Sequence, residues 1–158
     1  TPACIAPQPT QADIDRALSF TGEAFNDWER SYTVTDQNRV AVTWLDNADG
    51  AVAYLEALIF ECGYEDQVLD AYFSESWGTI FQNYEGYTQL GEMCQTNDRL
   101  RLYEFDLQSQ GFDYTARYWV KNDTSTRVLV LMLVFPSSSM SLLDDYTSQV
   151  FPQLPNCS

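Results

Sequence analysis

The chain has 158 residues, enough for one domain with a real core, and 45% of them are apolar, which excludes general disorder. Its 23 acids against 8 bases give a formal net charge of −15, and it has no histidine. Nucleic-acid backbones and anionic membranes are repelled by such a surface, and without an imidazole every Ser–His–Asp, Cys–His and HExxH site is excluded.

In chain order, Pro2, Pro7 and Pro9 make residues 1–11 an extended arm, with residues 12–158 left as a single domain. Thr10 is an N-cap residue, and Asp13 three places on completes an imperfect capping box. Ile14, Ala17, Leu18 and Phe25 then predict a helix over 11–25, weakened by Gly22. From Tyr32 the period changes to two, and Val40, Val42 and Trp44 mark a strand. Asp46-Asn-Ala-Asp-Gly50 is turn chemistry. Residues 51–62 fit a strand or a helix; the turn and the length favour the second strand of a hairpin.

Leu69, Tyr72, Phe73, Ser76, Trp77, Ile80, Phe81 and Tyr84 recur at i, i+3 and i+4, which predicts one long helix over 65–84. The second half alternates as a meander, with a weak strand over 87–93 and clear ones over 99–107 and 112–120. Residues 127–135 are almost all apolar and predict a central strand buried on both faces. Met140, Leu142, Leu143 and Tyr146 mark a last short helix, which Pro152 and Pro155 end. The expected fold class is α+β: an antiparallel sheet (hairpin plus meander) packed with one long helix and terminal helices, and two disulfides.

The cysteines are Cys4, Cys62, Cys94 and Cys157, with no CxxC pair. An even count without metal-site spacing points to two bridges, for which three connectivities exist. Joining the tails favours Cys4–Cys157, and that leaves Cys62–Cys94. Disulfides imply an oxidising compartment, so the expected location is extracellular or on the cell surface. The start at Thr1 without methionine suggests a processed or trimmed form. The longest apolar run, 128–135, is a strand's length and too short to span a membrane. Sequons stand at Asn122 and Asn156.

The helix over 63–84 and the segment 99–146, with "RVLVLMLVFP" followed by "LLDDY", resemble the PsbP/Mog1-type α+β sandwich. That resemblance covers about two-thirds of the chain in pattern, carries no catalytic motif, and implies an accessory or interaction domain. A cystatin- or NTF2-like sheet on one long helix is the nearest competing fold.

Four side chains are the candidate binding set: Tyr103, Arg101, Arg117 and Trp119. Arg117 and Trp119 share a strand face, and Arg101 and Tyr103 are expected across from them, forming an exposed Arg/Trp/Tyr platform. Glu104 with Asp106 is the best carboxylate pair for acid–base work. Asp46, Asn47 and Asp49 form part of a calcium-like loop, interrupted by Ala48, and Asp144-Asp145 is a second acidic pair. With no cofactor motif, the expected function is a non-catalytic secreted or cell-surface interaction or structural module, joined to a protein partner or to itself. A small-ligand or glycan-binding accessory domain is the alternative.

Overall fold

The computed structural model describes residues 8–157. Helix α1 (Gln11–Ser19) begins where the sequence places it: the Thr10 hydroxyl accepts from the Asp13 N–H, and the Asp13 carboxylate accepts from the Thr10 N–H at 2.8 Å. It ends at Ser19, short of the expected residue 25. Gly22 adopts φ +58°, and residues 20–28 proceed as successive tight turns that bury Phe25 and Trp28.

Strands β1 (Glu29–Asp36), β2 (Arg39–Asp46) and β3 (Ala51–Ile59) follow as a meander. Two short helices come next, α2 (Asp66–Ser74) and α3 (Trp77–Ile80). The second meander comprises β4 (Gly86–Gln89), β5 (Cys94–Gln95), β6 (Arg101–Ser109), β7 (Phe112–Asn122) and β8 (Arg127–Pro136). A 3-10 turn, Ser137–Ser139, leads into α4 (Met140–Val150).

All eight strands join one antiparallel sheet in the order β1-β2-β3-β8-β7-β6-β4, with β5 beside β4 along the same edge of β6. The two meanders meet at the central β3–β8 pair, from Val52↔Val134 to Ile59↔Arg127. Strand β8 is buried on both faces along most of its length, as its composition requires.

The expected α+β domain packed with one long helix is therefore replaced by a mostly antiparallel sheet carrying four short helices, with one disulfide between described residues. The apolar spacing is kept across the helix break: Leu69, Phe73, Trp77 and Phe81 are all buried. Continuity fails at Ser74-Glu75-Ser76. The Ser74 hydroxyl donates to the Ala71 carbonyl at 3.1 Å, and the Ser76 hydroxyl donates to the Tyr72 carbonyl. Serine hydroxyls that compete for backbone carbonyls weaken a helix interior.

One sheet face is covered by α1, residues 20–28 and α4, which enclose Val42, Trp44, Leu55, Leu131, Phe135 and Trp119. The chain then crosses the other face between β3 and the far edge. Helices α2 and α3 therefore cover only β6, β7 and part of β8, around Phe73, Trp77, Phe105 and Tyr118.

The one disulfide between described residues joins Cys94 to Cys157, with Cα atoms 5.5 Å apart. The expected pairs Cys4–Cys157 and Cys62–Cys94 are thus overturned. Cys62 follows β3, and Cys94 lies in β5, four strand positions away. At about 4.8 Å per strand that is roughly 19 Å, far beyond the reach of a bridge. Cys157 instead lies along β6, where its N–H donates to Glu104 at 3.0 Å. Cys62 is not a free thiol. Cys4 and most of the proline-rich arm lie outside the described residues. Replacing Cys94 and Cys157 together by serine is expected to lower the unfolding free energy by about 2–3 kcal/mol. That is below the roughly 4 kcal/mol of pure chain entropy for a separation of 63 residues, because denatured chains retain some compactness. Urea unfolding of the double variant checks it.

Arginines strap the helices to the sheet. Arg16 on α1 meets Asp123 at 2.9 Å; Arg127 meets Asp123 at 2.7 Å and Asp13 at 2.9 Å. Burial disfavours ionisation of both Asp13 and Asp123, yet the hydrogen bonds from Thr10, Arg16 and Arg127 outweigh it and hold both carboxyls below the usual range. Both therefore bind protons less readily folded than unfolded. Their contribution is complete above about pH 4, the unfolded value, and is lost as pH falls through the folded values. Thermal unfolding measured from pH 5 to pH 2 should fall less steeply for Asp123→Asn than for the parent chain.

Candidate functional site

The uncovered half of the second face forms a groove of about 980 Å³. Its floor is the alternation of β3 and β8: Val52, Tyr54, Glu56 and Leu58 on one strand, Met132 and Val134 on the other. The opposite residues of β3, Ala51, Ala53, Leu55 and Ala57, lie in the core beneath α1 and α4. Met132 is the interior position of β8 that is only half-buried, because it opens into the groove. The wall is made by Tyr72 and Phe73 of α2, Ile80 of α3 and the following Tyr84.

A polar cluster crosses this floor. Arg39 of β2 lies 3.0 Å from the Glu56 carboxylate and donates to the Tyr54 hydroxyl at 3.3 Å, and that hydroxyl in turn donates to Glu56. The ion pair leaves the groove floor with little net charge. Tyr118 closes the inner end. Burial, and next the nearby Glu56 carboxylate, push its phenol well above the ordinary tyrosine value, so it stays a hydrogen-bond donor. Thr43 of β2 also lines the groove; it is 7% exposed and its hydroxyl has no hydrogen-bond partner. A buried hydroxyl in that state forfeits about 1–3 kcal/mol.

The four side chains expected to form a platform lie elsewhere. Register sets Leu102 opposite Trp119 and Tyr103 opposite Tyr118, so the two pairs point to opposite faces of the sheet. All four are buried: Arg101 0%, Tyr103 5%, Arg117 3% and Trp119 0% exposed. Trp119 donates to the Leu154 carbonyl at 2.9 Å beneath the C-terminal segment. Arg117 is ion-paired with Asp144 at 2.8 Å and with Glu104 at 3.4 Å, fastening α4 to β7. Arg101 and Tyr103 lie on the α2–α3 face of the sheet, where Arg101 pairs with Asp70 of α2 at 3.1 Å. An exposed platform built from these residues is therefore ruled out, and they act as structural anchors.

Glu104, half of the proposed carboxylate pair, is occupied by Arg117 and the Cys157 N–H. In the calcium-like turn the Asp49 N–H donates to Asp46 Oδ1 at 3.4 Å, a local side-chain-to-backbone contact within the turn. Among the described residues no three His, Cys, Asp or Glu side chains converge as metal ligands, and no helix is long and apolar enough to cross a membrane.

Sequence reasoning missed Arg39, Thr43, Tyr54 and Glu56. A signal for them existed: one parity of β3 reads Ala, Ala, Leu, Ala, and the other reads Val, Tyr, Glu, Leu. A strand that pairs on both sides, yet carries a carboxylate at the centre of one face, has that face open. No protein-family model and no curated protein sequence matches the chain.

Proposed function

We propose that this chain is a non-catalytic, disulfide-bonded binding domain that takes a small ligand in the groove between β2–β3 and α2–α3. The observation that carries the reading is the concave half-face itself: an apolar floor crossed by a few convergent polar groups, at the upper end of the usual size for ligand sites. The expectation from sequence is an interaction or structural module, with ligand binding on the meander face as the alternative; the Arg/Trp/Tyr platform that would serve either is buried, and the groove gives the ligand-binding alternative a different seat. A non-catalytic role is supported by the absence of histidine and by the engagement of Glu104, Arg117 and Asp144 in structural ion pairs. The disulfide suits a secreted or cell-surface setting.

The test is a fragment screen on the oxidised, isotope-labelled chain, read by amide chemical shifts. Hits should concentrate on β2, β3, β8 and the α2–α3 wall. Val52→Trp, which places a large ring over the half-buried floor, should abolish them. Hits scattered over the surface, or unaffected by Val52→Trp, would defeat the proposal.

A further inference from the structure

We infer that the groove ligand is a neutral glycan, an inference that rests on the ligand-binding reading above. Charge comes first. Among the described residues the charged side chains lining the groove are Arg39 and Glu56, and they neutralise each other at 3.0 Å. An ionic ligand would find no unopposed partner there, and a net charge of −15 repels an anion from the whole surface.

The lining also has two characters at once. Tyr72, Tyr84 and Tyr114 bring partly exposed rings to the cavity, and Tyr54 and Tyr118 line its floor. Tyr72, 53% exposed, stands at the mouth as a ready stacking surface. Around it the rim carries amides: Gln37, Asn38, Gln82 and Asn83. An amide both donates and accepts, as a sugar hydroxyl does. A pyranose ring has a C–H face for the tyrosines and a hydroxyl edge for the amides. A wholly apolar ligand would strip water from the amides and return no hydrogen bond.

Thr43 supplies the independent observation. Its hydroxyl is more than nine-tenths buried, borders the groove and has no partner. Across the floor on β7, the protonated Tyr118 phenol also lines the groove, so the lining holds a buried hydroxyl without a partner and a phenol donor.

The experiment titrates the intact oxidised chain with neutral gluco-, xylo- and manno-hexaoses, an oligogalacturonate and 2-naphthol, by calorimetry and amide shifts. At least one neutral hexaose should bind in the groove and the oligogalacturonate should bind more weakly. Thr43→Val should weaken the sugar about fivefold, as expected for one net hydrogen bond, with no loss of thermal stability. Tyr72→Ala, at an exposed ring, should weaken it about tenfold. Sugar binding unmoved by either substitution, or tighter binding of the anionic oligomer, overturns the inference. So does failure of every neutral hexaose while 2-naphthol still shifts the groove amides, an outcome that leaves ligand binding standing. If neither class of probe perturbs the groove, both readings fall.

Discussion

Trp119→Ala is expected to lower the unfolding free energy by about 4 kcal/mol, the range for deleting a large buried aromatic ring. The indole is fully buried on the α1–α4 face of β7. It stacks on Phe151 with centroids 5.0 Å apart and donates to the Leu154 carbonyl at 2.9 Å. Truncation thus removes three contributions together: the transfer energy of the ring, the packing of Phe151 over the cavity left behind, and the partner of a buried carbonyl. Trp119→Phe keeps most of the volume and loses the hydrogen bond, so about 1.5–2 kcal/mol is expected for it. Urea unfolding under oxidising conditions checks both. A domain stability of about 5–15 kcal/mol leaves the phenylalanine variant measurable even where the alanine variant is largely unfolded. Similar small losses for the two would mean that the C-terminal segment contributes little to the core.

The same residue shows what the sequence carried and what it withheld. Alternation at Val40, Val42 and Trp44, and along 112–120, was legible because strand period depends on local chain geometry alone. Which face each parity takes depends on pairing, and there the expectation failed. Strands β6 and β7 are joined by the two residues Gln110 and Gly111, both with positive φ, 53° and 82°. Such a two-residue turn fixes register: Ser109 pairs with Phe112, so Leu102 pairs with Trp119 and Arg101 with Val120. Read with that turn, the sequence separates Arg101 and Tyr103 from Arg117 and Trp119. The helix break at Ser74–Ser76 was hidden because Leu69, Phe73, Trp77 and Phe81 keep helical spacing across it. The disulfide partners could not be read locally, and of the groove only the parity of β3 could. Both follow from the crossing of the chain from β3 to the far edge of the sheet, which separates Cys62 from Cys94 and leaves β2–β3 uncovered on one side.

Asp70→Ala should destabilise the chain by about 3–4 kcal/mol, while Arg101→Met should stay within about 1 kcal/mol of the parent. The asymmetry follows from which charge is left behind. Arg101 is 0% exposed, and burial lowers its guanidinium's affinity for a proton, a tendency the Asp70 carboxylate opposes. Asp70 Oδ1 lies 3.1 Å from its Nε, at ion-pair distance but out of hydrogen-bonding line, and Asp66 is farther away at 4.0 Å. Arg99 leans on the same two carboxylates, at 2.7 and 3.3 Å. Without Asp70, two guanidiniums share Asp66, and one of them has no access to water. Arg101→Met instead removes the buried charge, fills a similar volume, and leaves Asp66 and Asp70 to Arg99. Chemical denaturation of the two variants and the double variant closes the cycle. Because Asp70 lies on α2, two residues before Tyr72 and three before Phe73, its loss should also raise hydrogen exchange along α2 and weaken whatever the groove binds. A large loss for Arg101→Met with a small one for Asp70→Ala would make Arg101 a packing residue, and the groove wall would then be held by Phe73 and Trp77 alone.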